Sequence, residues 1–93
     1  MNTWRRRLAT GADDLAEAYT PRPLVLETVA AVWASGGTGS ITVAVDGRPI
    51  ASAVGTGSAL VRLDRPEAVP EAATITVQLP APGTCDLRGT ITP

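Results

Sequence analysis

Between residues 73 and 92 two runs alternate strictly enough to constrain the whole chain. In the first, Ile75, Val77 and Leu79 fall on one side and Thr74, Thr76 and Gln78 on the other, the period of a strand with one buried face. In the second, Cys85, Leu87, Gly89 and Ile91 share a face while Asp86, Arg88, Thr90 and Thr92 point the opposite way. Pro80, Pro82 and Gly83 separate the runs and suit a reversal better than a strand interior. The pattern predicts a β-hairpin turning at residues 80–84, with Ile75, Val77, Leu79, Leu87 and Ile91 in the core. A lone hairpin is marginal in water, so this one requires a partner sheet.

Candidates for that sheet lie upstream. The run LVLETVAAVWA at residues 24–34 reads either as a strand buried on both faces or as a short helix stopped by Gly36 and Gly37. Val25, Thr28, Val29, Val32 and Trp33 favour the strand, which is the reading adopted. Ile41, Val43 and Val45 alternate and lead into Asp46-Gly47, the dipeptide of a two-residue type I′ hairpin. Pro49, in the returning run, cannot donate to a ladder and so belongs at a sheet edge or a bulge. Ala59, Val61 and Leu63 alternate with Arg62, after which residues 64–72, holding Pro66 and Pro70, read as a loop. Six extended segments separated by turn signals about every ten residues predict an all-β fold, a small antiparallel β-sandwich or barrel. The arrangement resembles an immunoglobulin-like or related β-sandwich in architecture, over residues 24–92 of a domain spanning 24–93. The Cys, Trp, Cys framework of antibody domains is absent, because Cys85 is the sole cysteine.

Residues 1–23 differ in composition and read as an N-terminal arm preceding that domain. Thr10 is placed to cap a short helix with Asp13 and Asp14 in its first turn and Leu15, Ala16, Ala18 and Tyr19 behind them. Pro21 and Pro23 then end it.

Little in the composition supports catalysis. Histidine, the usual acid or base near neutral pH, is absent. With one cysteine and no carboxylates at ligand spacing, neither a metal nor a cofactor is expected. Asp13 and Asp14 read as helix-terminal charge. Gly36, Gly37 and Gly39 are followed by no GK[ST] and lead into a strand, so they are not a phosphate loop. A net charge of −1 argues against nucleic-acid or membrane attraction, and no run approaches the ~20 apolar residues of a membrane span. The three arginines near the start are followed by Ala9, Thr10, Gly11 and two aspartates, not by the apolar stretch of a signal peptide, so cytoplasmic synthesis is expected.

One constellation remains. Trp4, Arg5, Arg6, Arg7 and Leu8 set a large aromatic beside three permanently charged guanidinium groups, a composition that suits docking on an acidic protein surface or a phosphate backbone. The reading is a non-enzymatic structural subunit, oligomeric with other protein subunits, docking through its arm and a sheet edge, with no small-molecule substrate. A compact β-domain with an arginine-bearing arm, no lysine and no export signal resembles the small accessory proteins of tailed-phage or gene-transfer-agent particles, of the capsid-decoration or head-to-tail type. That resemblance implies a virion location. The other reading is a binding module for carbohydrate or a cell-surface ligand, using loops at one end of the sandwich.

Overall fold

The computed structural model describes residues 2–34 and 36–92. Eight strands account for most of them: β1 (Thr3–Ala9), β2 (Leu15–Tyr19), β3 (Leu24–Trp33), β4 (Thr38–Val45), β5 (Arg48–Thr56), β6 (Ser58–Val69), β7 (Thr74–Gln78) and β8 (Gly83–Ile91). They form two antiparallel four-stranded sheets, one ordered β1-β8-β3-β6 and the other β2-β7-β4-β5. The fold is the expected all-β sandwich.

Its wiring is nested about the middle of the chain. Strand β4 pairs with β5, β3 with β6, β2 with β7 and β1 with β8. The polypeptide is therefore one long hairpin folded at Asp46-Gly47 and rolled up until β8 also lies against β3 and β7 against β4. This is the double-sheet connectivity of a jelly roll, not that of an immunoglobulin-like sandwich. The central turn has the geometry its sequence predicts: Asp46 and Gly47 both have positive φ, 50° and 82°, as a type I′ turn requires. Asp46 further accepts the Thr74 backbone N–H on its carboxylate at 2.9 Å. Strand β5, the partner across this turn, is an edge strand, and the register jumps from Val43↔Ala51 to Ala44↔Pro49. Pro49 thus meets both conditions expected of it, an edge and a bulge.

The C-terminal hairpin does not form. Strands β7 and β8 have the predicted inward faces, with Ile75, Val77, Leu79, Cys85 and Leu87 buried and Ile91 partly so, but they lie in opposite sheets. Residues 79–82 carry the chain across the sandwich. Alternation specifies which face of a strand is buried; two strands that bury matching faces can stand side by side or face each other across the core, and here they face each other.

The N-terminal segment is also corrected by the structure. It is no arm: β1 pairs with β8 over seven residues, Thr3↔Thr90 to Ala9↔Thr84, and β2 pairs with β7. The expected helix is reduced to one 3₁₀ turn at Ala12–Asp14, where Asp13 and Asp14 adopt positive φ and no side chain caps the turn. Helix-compatible residues Leu15, Ala16 and Ala18 are held extended because Ala16 and Ala18 are buried against the core, a tertiary gain that exceeds their weak helical preference.

The 24–34 run is a strand, as read, but buried on one face. Leu24 and Leu26 point inward, then Val29, Ala31 and Trp33. The phase changes because the register shifts between Leu26 and Thr28, so Glu27 sits in a bulge. Strand β6 shifts there too. It runs on through much of the expected 64–72 loop, and between Arg62 (opposite Thr28) and Glu67 (opposite Leu26) it inserts residues 63–66 against the single Glu27. The centre of the core between the sheets is aliphatic, with Trp4 and Trp33 also buried in it: Leu24, Leu26, Val29, Ile41, Val43, Ile75, Val77 and Leu87 are each at most 1% exposed.

One buried polar side chain pins the end of the sandwich where β2 leaves for β3. The hydroxyl of Thr20 donates to the Pro70 carbonyl at 2.8 Å and accepts the Ala73 N–H at 2.9 Å. Thr20→Val keeps the shape and strands both backbone groups. The expected cost is about 1–3 kcal/mol of unfolding free energy, read by urea denaturation; an unchanged midpoint would mean that the two backbone groups find other partners.

Candidate interaction surface

The outward positions of the β1-β8-β3-β6 sheet build one continuous face. Cross-strand register sets Arg5, Arg88, Thr28 and Arg62 in one row. Arg7, Asp86, Ala30 and Leu60 form the next, and Ala9, Thr84, Val32 and Ser58 the one after. The centre is apolar and open, with Val32 58% and Leu60 51% exposed beside exposed Ala30. Arginines border it on one side, Arg5, Arg88 and Arg62, and at the β1 edge, Arg7. Four guanidinium groups, Arg5, Arg7, Arg62 and Arg88, face the two carboxylates of Glu27 and Asp86, a surplus of two positive charges on a chain whose net charge is −1.

Relief comes from the β6 insertion. A hollow of about 530 Å³ lies between Thr28, Leu60, Arg62, Pro66, Asp86 and Arg88, and a smaller one of about 260 Å³ lies against Arg7, Ala30, Val32 and Thr84. Both are open depressions in a sheet face.

Asp86 organises the charges. It accepts two hydrogen bonds from Arg5, Nε at 3.2 Å and Nη2 at 2.9 Å, and Arg88 approaches to 3.6 Å. The Arg5 hydrogen bond holds the Asp86 carboxyl below its ordinary range, assisted by the positive charges of Arg5, Arg88 and Arg7. A depressed pKa means that this cluster's contribution to stability is in place at neutral pH and is lost as acid protonates Asp86; the pair is exposed, so the contribution is small. Cys85, next in sequence, points the other way into the core. Burial pushes its thiol up to about 11, with Asp86 adding to the shift, which leaves it protonated and unreactive near neutrality.

The five residues singled out in the sequence separate here. Trp4 is 7% exposed and belongs to the core, so it is not an accessible anchor, and Leu8 packs against that core. Alternation along β1 puts Arg5 and Arg7 on the outer face. Arg6 shares the inward phase of Trp4 and Leu8 yet is exposed. Neither Arg6 nor Arg7 has an ion-pair or hydrogen-bond partner for its side chain among the described residues. Sequence reasoning missed Arg62, Arg88, Leu60 and Val32 as members of the same surface. The outward phase of Leu60, Arg62 and Arg88 was visible in the alternation; that of Val32 was hidden by the bulge at Glu27, and the strand order that brings the four together was not visible.

The opposite sheet presents a different face. Glu17 is the one charged residue in its outward rows, among Thr42, Ser52, Thr74, Thr76 and Gln78. Tyr19, at its edge, is the one exposed aromatic of the chain, since Trp33 is buried with its indole N–H donating to the Gly37 carbonyl at 2.9 Å. Among the described residues no three His, Cys, Asp or Glu side chains cluster as a metal site, and no helix is long and apolar enough to cross a membrane. No protein-family model and no curated protein matches the chain.

Proposed function

We propose that the chain is a non-catalytic structural subunit that docks onto another protein of a larger assembly through the outer face of the β1-β8-β3-β6 sheet. The observation that carries this reading is the exposed patch of Val32, Ala30 and Leu60, bordered on one side by the row of Arg5, Arg88 and Arg62 and at the β1 edge by Arg7. Protein interfaces are enriched in arginine, with a desolvated apolar centre and a polar rim, and depressions shallow enough to be open suit a protein surface better than a small molecule. A virion accessory role, of the capsid-decoration or head-to-tail type, is the assembly we put forward. Jelly rolls build both capsid proteins and lectins, so the fold by itself does not choose. Against the carbohydrate reading stand the two buried tryptophans, which leave no indole on a loop for stacking on a sugar.

The test is purification of the tagged chain from its own cells, with the mass of any complex measured by light scattering. A complex of fixed stoichiometry is expected, and it should be lost in the double variant Val32→Asp, Leu60→Asp. Because both positions are exposed, the variant should keep its stability within about 0.5 kcal/mol per site. A monomer with no stoichiometric partner, or a complex indifferent to the two substitutions, would overturn the reading.

A further inference from the structure

Strand β1 ends its sheet, and among the described residues nothing pairs with its outer edge. Asn2 accepts the Ile91 N–H and Thr10 donates to the Gly83 carbonyl, so the even-numbered residues of β1 face β8. In an antiparallel ladder these alternate with residues whose N–H and C=O point away. Thr3, Arg5, Arg7 and Ala9 therefore present a row of backbone donors and acceptors to solvent. The other edges are protected: β5 by Pro49 and its bulge, β6 by Pro66 and residues 63–66, and β2 by its length of five residues. Strand β1 has no proline and no bulge. Its protection is charge, Arg5-Arg6-Arg7, which selects among partners.

We propose that β1 is the acceptor edge for an extended acidic segment of another protein, which adds to the sheet as a fifth strand. This rests on the docking reading above and names the chemistry of the partner. Main-chain hydrogen bonds to Thr3, Arg5, Arg7 and Ala9 supply affinity, and alternate side chains supply specificity. Arg5 is already engaged with Asp86, whereas Arg6 and Arg7, on opposite faces of the strand, have no ion pair among the described residues. Two successive acids in the incoming segment place one carboxylate beside each. Apolar residues on either side of this acidic stretch then face Trp4 and Leu8 and extend the core. A second copy is a poor occupant: two-fold pairing of β1 centred on Arg6 sets Arg6 against Arg6 and Arg5 against Arg7, like charges directly opposed.

The probe is the capped peptide Thr-Val-Glu-Glu-Thr-Val-Thr, whose antiparallel register puts valines opposite Leu8 and Trp4 and glutamates opposite Arg7 and Arg6. It is titrated into the ¹⁵N-labelled full chain, with Thr-Val-Lys-Lys-Thr-Val-Thr as the control. Binding should shift the Arg5 and Arg7 amides, slow their hydrogen exchange, and weaken with salt. Ala9→Pro removes one outward donor without touching a charge and should weaken binding about fivefold. Arg6→Ser with Arg7→Ser should weaken it about tenfold and abolish its salt dependence. Equal binding of both peptides, shifts centred on Val32 and Leu60, or no binding at millimolar peptide would overturn the proposal. So would a dimer in light scattering that Ala9→Pro dissociates, since the edge would then belong to a second copy. If the peptide fails while the outer-face variant still dissolves the cellular complex, this proposal falls and the docking reading stands; if the peptide binds and no cellular complex exists, the docking reading falls.

Discussion

Trp4→Ala is expected to cost about 3–5 kcal/mol of unfolding free energy, the range for removing a large aromatic from a core. A domain of this size has on the order of 5–15 kcal/mol in total, so a substantial part of the population should unfold at ordinary temperatures. The reason lies in the pairing of β1. The indole is 7% exposed and projects inward from an edge strand, and the register places Trp4 opposite Gly89, with Leu26 opposite Gly89 on the far side. A residue without a side chain thus stands between two large inward neighbours, and the cavity left by truncation has little nearby to fill it. Arg6→Ser, two residues along on the same strand but exposed, should stay within about 0.5 kcal/mol. Urea denaturation of the two variants makes the comparison. A Trp4→Ala midpoint equal to that of Arg6→Ser would return residues 1–9 to the status of a dispensable arm.

Gly89→Ala is expected to be comparably damaging, although it adds a single methyl group. Gly89 lies on the inward phase of β8, between β1 and β3. A Cβ there would collide with the Val25 carbonyl oxygen and lie 3.2 Å from the Cα of Leu26. Both obstacles are backbone, so no rotamer change relieves them; the strands must separate just where Glu27 bulges out of register. Overpacking costs about 1–3 kcal/mol where side chains can adjust, and more where they cannot. We expect at least the upper end, with a fall in melting temperature of more than about 10 °C at the rate usual for a domain of this size. As a control, Thr90→Ala changes an exposed neighbour and should leave the midpoint nearly unmoved. A Gly89→Ala protein as stable as that control would show that β3 and β8 are not in close contact at this point.

How much of this was legible depended on the range of the interaction involved. Inward faces were read correctly in β4, β6, β7 and β8 because each needs only the alternation of its own residues. The Asp46-Gly47 turn was read because two adjacent residues contain its whole requirement, positive φ at both positions. Strand β3 was readable as a strand but not as one with a single buried face, since a bulge at Glu27 breaks the alternation and is stabilised by the partner strands on either side. The two errors of substance concerned neighbours. Residues 1–9 looked like an arm because Arg5, Arg6 and Arg7 in succession hide the inward phase of Trp4 and Leu8, and β8, which makes that phase useful, is about eighty residues away. Strands β7 and β8 looked like a hairpin because proximity in sequence is the strongest prior for pairing.

What the sequence by itself determined is therefore the set of strands from β3 onward, the face that β4, β6, β7 and β8 each bury, and the turn about which the chain doubles back. Beyond the β4–β5 hairpin, only the tertiary structure decided which strand lies beside which. A strand's hydrogen-bonding edges are backbone and nearly identical in every strand; its side chains say what it must bury, and the choice of neighbour follows from the one rolled arrangement in which all eight buried faces meet in a single core. The candidate surface shares that dependence. Arg5, Arg62 and Arg88 come from three strands, and they form one row because β8 and β3 lie between β1 and β6.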